Sequence, residues 1–415
     1  MPEKIYGLIG GTLRHSWSVP IHKSLGCEDY RLIELEPSEL GAFLRGGNIG
    51  GLNVTIPYKR TVMQYCDIVD PEAAEIGSVN TITTDPDGRL HAYNTDCWGF
   101  EYMLRRAGFD PAGKHAVIMG SGGTSLTAQY VLRKLGVEKI SVISRKGSSS
   151  YSTLPDGHLD AGIIVNATPV GMYPDNGSFL TDPACYPALE FAADVIYNPL
   201  RTEYLLRAQK CGVPCSNGLP MLVAQAFRSE ELFRGEKLDP SNIEKITARL
   251  RKEFSNIVLI GMPGAGKSTV GGILASMTGR ELIDLDDRIA SKAGMTIPEI
   301  FSEYGEKGFR DRESEAAREA GKLTGKIIVA GGGIVENECN LASLRQNGRI
   351  YEIRRPIELL PTEGRPVSIS VGVRKLSERR EPLYKKFRDA EADNSRTPEE
   401  AARQILEDFN ENTCD

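Results

Sequence analysis

The feature that most constrains this chain is a pair of unlike glycine loops, each behind an apolar strand-like run and ahead of a helical stretch. Lys-His-Ala-Val-Ile-Met (114–119) runs into Gly120-Ser121-Gly122-Gly123-Thr124-Ser125. Asn-Ile-Val-Leu-Ile (256–260) runs into Gly261-Met262-Pro263-Gly264-Ala265-Gly266-Lys267-Ser268-Thr269. Strand, glycine turn and helix together aim backbone N–H groups and a helix N-terminus at an anion. Two such beginnings of different type imply two nucleotide domains and not a duplication. Short β-rich runs alternate with helical stretches along nearly the whole length, which predicts an α/β fold with parallel sheets. A third run, Lys326 to Ala330, ends at Gly331-Gly332-Gly333.

The 415 residues suggest roughly two to four structural units. At 40% hydrophobic and 26% charged, the composition excludes a disordered or collagen-like chain. A net charge of -6 removes any global attraction to nucleic acid or to an anionic membrane surface, so neither is expected as a partner. No run approaches the ~18 apolar residues of a membrane helix, and no basic-then-apolar leader opens the sequence. The eight cysteines form no C-x-x-C pair, so reduced thiols in a cytoplasmic protein are expected, without zinc or disulfides. Leu238-Asp239-Pro240-Ser241 reads as a helix start, and Ile243, Ile246, Leu250 and Phe254 recur at helical spacing. The halves are therefore expected to join through a helix ending near Phe254.

In the second half, Gly261 to Thr269 fits G-x-x-x-x-G-K-[ST] in full. Gly264, Ala265, Gly266 and Thr269 belong to the loop that cradles ATP phosphates, Lys267 neutralises β/γ charge, and the Ser268 hydroxyl reaches Mg²⁺. Asp284-Leu285-Asp286 would put both carboxylates on one face if extended. One can hold hydrated Mg²⁺ and the other can take a hydroxyl proton. A small carboxylated, polyhydroxylated acceptor would need arginine forks such as Arg310, Arg365 and Arg380, plus close-approach glycines. On composition alone, Arg310 and Arg380 serve equally well as surface salt-bridge residues.

After the phosphate loop come D-x-D, Gly305-Glu306-x-x-Phe309-Arg310-x-x-Glu313, G-G-G, Arg365-Pro366 and Arg380-x-Pro382-Leu383-Tyr384, in that order. Over about 255–415 the chain resembles shikimate kinase. The resemblance implies a P-loop, NMP-kinase-like parallel-sheet domain, with Asp286 as base beside the substrate hydroxyl and Asp284 in the Mg²⁺ shell. It implies that Arg310, Arg380 and Gly331, Gly332 and Gly333 hold shikimate. Arg365 would come from a closing lid to the phosphates, and Arg396 would lie near adenine. The stretch from Arg355 to Arg365 is shorter than in that family.

In the first half, Gly120 to Ser125 departs from G-x-G-x-x-G only at Ser125. The next strand, 139–143, should end at a ribose reader. Ser144-Arg145-Lys146 stands where an NAD-type loop carries a carboxylate, which argues for NADP(H). Polar residues interrupt apolar text at Ser16-Trp17-Ser18, Asn53-Val54-Thr55 through Lys59, Asn80 and Asn94-Thr95-Asp96. Hydride transfer to a ketone needs a proton donor at the developing alkoxide, which a Lys/Asp pair can supply.

With Asn166-Ala167-Thr168-Pro169, Tyr197-Asn198-Pro199 and Asn217-Gly218-x-x-Met221 through Gln225, these segments resemble shikimate dehydrogenase over about 5–250. The resemblance implies a substrate domain (1–96 with 219–250), a Rossmann domain (97–218) and, after them, the kinase domain (255–415). It makes Lys59 and Asp96 the catalytic pair. Ser16, Ser18, Asn53, Thr55, Asn80, Asn94, Tyr197 and Gln225 would bind substrate carboxylate and hydroxyls. Gly120, Ser121, Gly122, Gly123, Thr124, Ser144, Arg145 and Lys146 would hold NADP(H), with Thr168 and Gly218 by the nicotinamide. The segment from Arg145 to Asn166 is markedly shorter than in that family.

Together the two halves imply a bifunctional cytoplasmic enzyme of the shikimate pathway, which serves chorismate and aromatic amino acid synthesis. NADPH would reduce 3-dehydroshikimate to shikimate, and ATP would phosphorylate shikimate at its 3-hydroxyl. The competing expectations are a catalytically silent metabolite-sensing regulator and a quinate-type dehydrogenase in the first half.

Overall fold

The structure, a computed structural model, describes residues 4–13, 16–46, 48–145, 151, 154–360 and 372–412. The chain divides into two compact units. The first gathers 1–170, 179–197 and 207–248; the second gathers 171–178, 198–206 and 249–415.

The first unit holds two sheets. Strands β1 (Ile5–Gly10), β2 (Arg31–Glu34), β3 (Ile49–Val54), β4 (Ile68–Val69), β5 (Thr81–Thr84) and β6 (Leu90–Tyr93) form one, in the order β2-β1-β3-β5-β6-β4. This sheet is mixed, because β5 runs antiparallel to both β3 and β6. The Asp85 carboxylate accepts from the N–H groups of Asp87 and Arg89 and so closes the short turn between β5 and β6. A connection that tight can join only antiparallel neighbours.

The second sheet is all parallel. It consists of β7 (His115–Met119), β8 (Lys139–Ile143), β9 (Ala161–Asn166), β10 (Phe191–Asp194) and β11 (Cys215–Ser216), ordered β11-β10-β9-β7-β8. Every residue of β7 and β9 is buried, the pattern of strands covered on both faces. From β7 the chain steps one way to β8 and later the other way to β9, β10 and β11. The crevice at the carboxyl ends of β7 and β9 is therefore a topological switch point, where such sheets bind ligands. Helix Thr95–Arg106 packs on helix Leu219–Arg234: Trp98 stacks on Phe227 with centroids 6.0 Å apart, and a Cβ on Gly99 would meet the Met221 carbonyl at 2.6 Å. Helix Leu219–Arg234 also packs on helix Ser18–Ser24 and on β3.

The second unit is built on β12 (Asn256–Ile260), β13 (Leu282–Asp284), β14 (Ile327–Val329), β15 (Gly348–Arg354) and β16 (Ala390–Asp393). All are parallel, in the order β13-β14-β12-β15-β16. The central strand β12 is wholly buried and delivers the Gly261–Thr269 loop. Helix Ile297–Gly321 starts with a capping box between Thr296 and Glu299 and breaks at Gly305, whose φ of +67° is open to glycine without steric cost. After the break, Phe309, Arg310 and Glu313 sit within one helical turn. Two segments from earlier in the chain also belong to this unit. Arg201 donates to the carbonyls of Arg345 and Gly348, and Leu200 N donates to the Asn347 side chain.

The expected junction helix is Ser241–Phe254. Among the described residues, the seven cysteines are free thiols and no helix is long and apolar enough to cross a membrane.

Candidate functional site

In the first unit, Lys59 Nζ donates to Asp96 Oδ2 at 2.5 Å, with side chains 16% and 9% exposed. Asp96 lies in the first turn of its helix, where the dipole favours negative charge. Asn94 caps that helix by accepting from Cys97 N at 3.2 Å and donates to the Ser78 carbonyl. Lys59 is anchored through its own carbonyl, which accepts from Val79 N.

Asn80 Nδ2 donates to Asp96 Oδ1 at 2.9 Å and to Gln225 Oε1 at 3.3 Å. Lys59, Asp96, Asn80 and Gln225 thus form one connected group, drawn from positions up to 166 residues apart (225 − 59). Ser16 and Ser18 hydroxyls meet at 3.0 Å. The Trp17 ring between them lies tilted against Tyr197, centroids 5.0 Å apart. Burial pushes the Tyr197 phenol up from its ordinary value. Thr55 N donates to the Ile9 carbonyl near the end of β1.

Asn53 is placed differently from a free substrate ligand. Its Oδ1 accepts from Tyr30, and its Nδ2 donates to Ser229 and Thr81. Thr95 stands in a polar segment legible in the sequence, but its link to the hydroxyls at 81 and 229 is not, and its oxygen lies 3.0 Å from that of Ser229. Sequence reading missed the fully buried His22, whose Nδ1 meets Glu230 at 2.6 Å and whose ring stacks on Tyr30 with centroids 3.8 Å apart. Burial pulls the His22 imidazole below its ordinary value against the opposing pull of Glu230. Only the isolated polar letters in apolar text could have pointed to these residues.

The Gly120–Gly123 loop leads into helix Gly123–Lys134. Gly120 lies so close to β9 that a Cβ there would meet the Ala167 carbonyl at 2.8 Å and Thr168 at 3.1 Å. A Cβ on Gly123 would meet Ser78 at 2.8 Å and Lys59 at 3.4 Å, so the loop approaches the Lys59/Asp96 pair. Over Gly122 the space is open. An unobstructed helix N-terminus above a switch-point crevice fits a dinucleotide pyrophosphate. Ser121 and Thr124 flank that opening in the loop and first turn. Ser144 is buried at the end of β8, and Arg145 is exposed in the following turn. Lys146 lies outside the described residues. Gly218 caps helix Leu219–Arg234, its N–H donating to the Ile196 carbonyl, while Thr168 donates to Asn166 Oδ1 at 2.7 Å.

In the second unit, a cavity of about 580 Å³ opens beside the phosphate loop. Gly264, Gly266, Lys267, Ser268 and Thr269 form one wall, while Ala265 is wholly buried behind it. Lys267 Nζ donates to the carbonyls of Gly261 and Met262 at 2.9 and 3.0 Å. Ser268 Oγ donates to Asp284 Oδ2 at 3.0 Å.

The Asp284/Asp286 pair is not an extended D-x-D. The strand ends at Asp284, whose side chain caps the next helix by accepting from Asp286 N. That local bond competes successfully with strand continuation. Both carboxylates still line the cavity. A hydroxyl and a carboxylate beside the phosphate loop fit Mg²⁺, which is usually bound by one or two carboxylates plus substrate phosphates. No cluster of three or more His, Cys, Asp or Glu able to hold a metal by itself occurs among the described residues.

The opposite wall contains Arg310, Glu313, Arg380 and Gly331 to Gly333. Arg380 is 1% exposed, so its reading as a surface residue is excluded, and Arg310 is bound at 2.7 Å by the buried Glu313. Asp286 Oδ1 and Glu313 Oε1 are buried without hydrogen-bond partners. Both lie within 3.0 Å of where a Cβ on Gly331 would stand, so only glycine leaves room there. Burial, then Asp284, raise the Asp286 carboxyl above its ordinary value, and burial raises Glu313 likewise. Glu313, quoted from the sequence only as the end of a motif and given no role, and Arg355 also line the cavity. Arg396 is exposed on the turn after β16 and does not line the cavity, whereas neighbouring Asn394 donates to the Ala265 carbonyl. Arg365 lies outside the described residues.

These features define a dinucleotide-type oxidoreductase joined in one chain to a P-loop phosphotransferase. Comparison with known proteins narrows both. The shikimate kinase family matches residues 263–410, and the shikimate dehydrogenase substrate binding domain matches residues 8–82. An NADP(+) shikimate dehydrogenase of Clostridium perfringens is 35% identical over 272 residues, covering 60% of this chain and all of that protein. Solved structures agree. Shikimate dehydrogenase 1 from Peptoclostridium difficile has 38% identity and a TM-score of 0.55, over 60% of this chain and 98% of that one. A chorismate mutase/shikimate 5-dehydrogenase fusion protein from Clostridium acetobutylicum has 34% identity and a TM-score of 0.57, over 61% and 98%. The chain belongs to the shikimate dehydrogenase family and carries, after that region, a shikimate kinase domain.

Proposed function

We propose that this chain performs two consecutive reactions: NADPH-dependent reduction of 3-dehydroshikimate to shikimate, then ATP-dependent phosphorylation of shikimate at the 3-hydroxyl. The observation that carries the reading is that both reactive groups are complete in one chain. Lys59 and Asp96 are joined beside a dinucleotide loop, and Lys267, Ser268, Asp284 and Asp286 surround one cavity. A regulator released from catalysis would have no need to keep them. The boundaries 1–96 with 219–250, 97–218 and 255–415 belong to the same proposal.

In the reduction, the nicotinamide supplies the hydride when bound. Lys59, held against Asp96, donates the proton that the developing alkoxide needs. Ser16, Ser18, Asn80, Tyr197 and Gln225 bind the substrate's carboxylate and hydroxyls. Asn53, occupied by Tyr30 and Ser229, contributes by keeping that wall in place. In the phosphorylation, Mg²⁺ neutralises phosphate charge when bound beside Ser268 and Asp284. Arg310 and Arg380 take the acceptor's carboxylate, and Asp286 takes its hydroxyl proton as the oxygen attacks phosphorus and ADP leaves.

The purified chain given 3-dehydroshikimate, NADPH and ATP–Mg²⁺ should oxidise NADPH and form ADP. ADP formation should depend on the first step unless shikimate is supplied. Parallel runs with quinate and NAD⁺ measure selectivity. Failure to reduce the ketone or to phosphorylate added shikimate removes the corresponding half of the proposal.

Two further outcomes are expected. Arg145→Ala should raise KM for NADP⁺ much more than KM for NAD⁺, by about tenfold or more for a lost charge-assisted phosphate contact. An unchanged ratio removes the 2′-phosphate assignment. For the kinase, Asp286 must be ionised to accept a proton, and its carboxyl is raised by burial and by Asp284. A raised value means activity is lost at a higher pH as acid is added. The acid limb of kcat/KM should therefore lie above the ordinary carboxylate range, and Asp286→Asn should abolish it with most turnover. A limb at the ordinary value would count against Asp286 as the base.

A further inference from the structure

The arginines of the kinase cavity already hold an anion from the protein itself. Glu336 ends the turn Ile334–Glu336 that follows the triple glycine. Its carboxylate takes Arg380 Nε at 2.9 Å and Arg310 Nη2 at 3.4 Å, and also pairs with Arg379. Arg310 is held in addition by Glu313 at 2.7 Å and by Glu306 at 3.3 Å. Three arginines thus face three glutamates, and the cluster is formally neutral before any ligand arrives.

The two ends of the Arg380–Glu336 pair differ in freedom. The Arg380 side chain is 2% exposed and that of Glu336 is 21% exposed. A buried guanidinium is costly without an anionic partner, whereas a carboxylate with access to water can move aside. Burial raises the Glu336 carboxyl, but Arg380, Arg310 and Arg379 more than offset that and hold it below its ordinary value, so it is ionised near neutral pH.

We infer that Glu336 is an internal stand-in for the acceptor's carboxylate: it occupies Arg310 and Arg380 while the acceptor site is empty and must yield them when the acid binds. This rests on reading the cavity as the kinase's acceptor site. Exchanging one carboxylate for another at the same guanidinium groups gains little. Glu336 therefore sets KM for the acceptor and leaves the phosphoryl-transfer step alone, which makes it a specificity-determining residue that works through the arginines.

The test is steady-state kinase kinetics of the full chain with shikimate as the varied substrate. Glu336→Gln keeps the side chain's shape and an oxygen to accept from Arg380, but leaves the cluster one positive charge in excess. An incoming carboxylate then restores a charge-assisted bond, so KM for shikimate should fall about five- to tenfold. Its kcat and its KM for ATP should stay within about twofold. Glu336→Asp, which keeps the charge, should remain near wild-type KM. An active wild type whose Gln variant shows an unchanged or raised KM, or a lowered kcat, overturns the role of Glu336 alone. A wild type that forms no ADP with shikimate overturns the underlying reading instead.

Discussion

Replacing Lys59 with alanine should slow reduction of 3-dehydroshikimate by about 10²–10⁴-fold, the contribution of a placed general acid, while phosphorylation of added shikimate continues. The substitution removes the proton donor and little else. Asp96 keeps its bond from Asn80 Nδ2 at 2.9 Å, and the Lys59 backbone keeps its tie to Val79. The loss should therefore appear mainly in kcat, with an unchanged melting temperature and intact NADP⁺ binding. Lys59→Arg separates proton donation from charge. It restores a cation beside Asp96, but guanidinium holds its proton too tightly to give it up at neutral pH, so the rate should stay low. Near-wild-type reduction by either variant would sink the catalytic assignment.

What the sequence made legible was local. Strands 139–143 and 256–260 coincide with the observed β8 and β12, and 114–119 differs from β7 by one residue. An apolar run ended by glycines carries its own boundaries. The phosphate loop and the capped junction helix belong to the same class of signal. The hairpin between β5 and β6 is equally local in origin, its turn closed by the Asp85 carboxylate.

Contacts between distant positions were not legible. Nothing near Asn53 announces that Tyr30, Thr81 and Ser229 bond its amide, since the last of these lies on a helix far along the chain. Glu336 is an ordinary glutamate in the sequence and Glu313 only the end of a motif; their roles become visible when the fold sets Glu313 against Arg310 and Glu336 against Arg310 and Arg380. Arg380 shows the same limit from the other side. Composition alone left it equally suited to a surface or a binding role, and its burial removes the first.

Lys267→Ala is the converse experiment, and it should cost kinase turnover about 10²–10³-fold, as the loss of a preorganised electrostatic contact to a transferring group does. Lys267 is 8% exposed and lies in the cavity wall, with its ammonium on the Gly261 and Met262 carbonyls. Reaching the β/γ-phosphates requires exchanging those carbonyls for phosphate oxygens, a stronger acceptor. Alanine leaves the carbonyls at the cavity's edge, and Lys267→Met controls for lost volume. Ketone reduction by either variant should match wild type, because Lys267 has no part in the Lys59/Asp96 group. The sharper consequence concerns the two substitutions together. An equimolar mixture of the Lys59→Ala and Lys267→Ala chains contains one working reductase and one working kinase on different molecules. If shikimate passes between the sites through solvent, that mixture should convert 3-dehydroshikimate fully to shikimate 3-phosphate at about half the wild-type rate. Tethering by itself adds only a modest effective concentration for a freely diffusing product. A mixture that stalls at accumulated shikimate would show that the sites depend on residing in one chain.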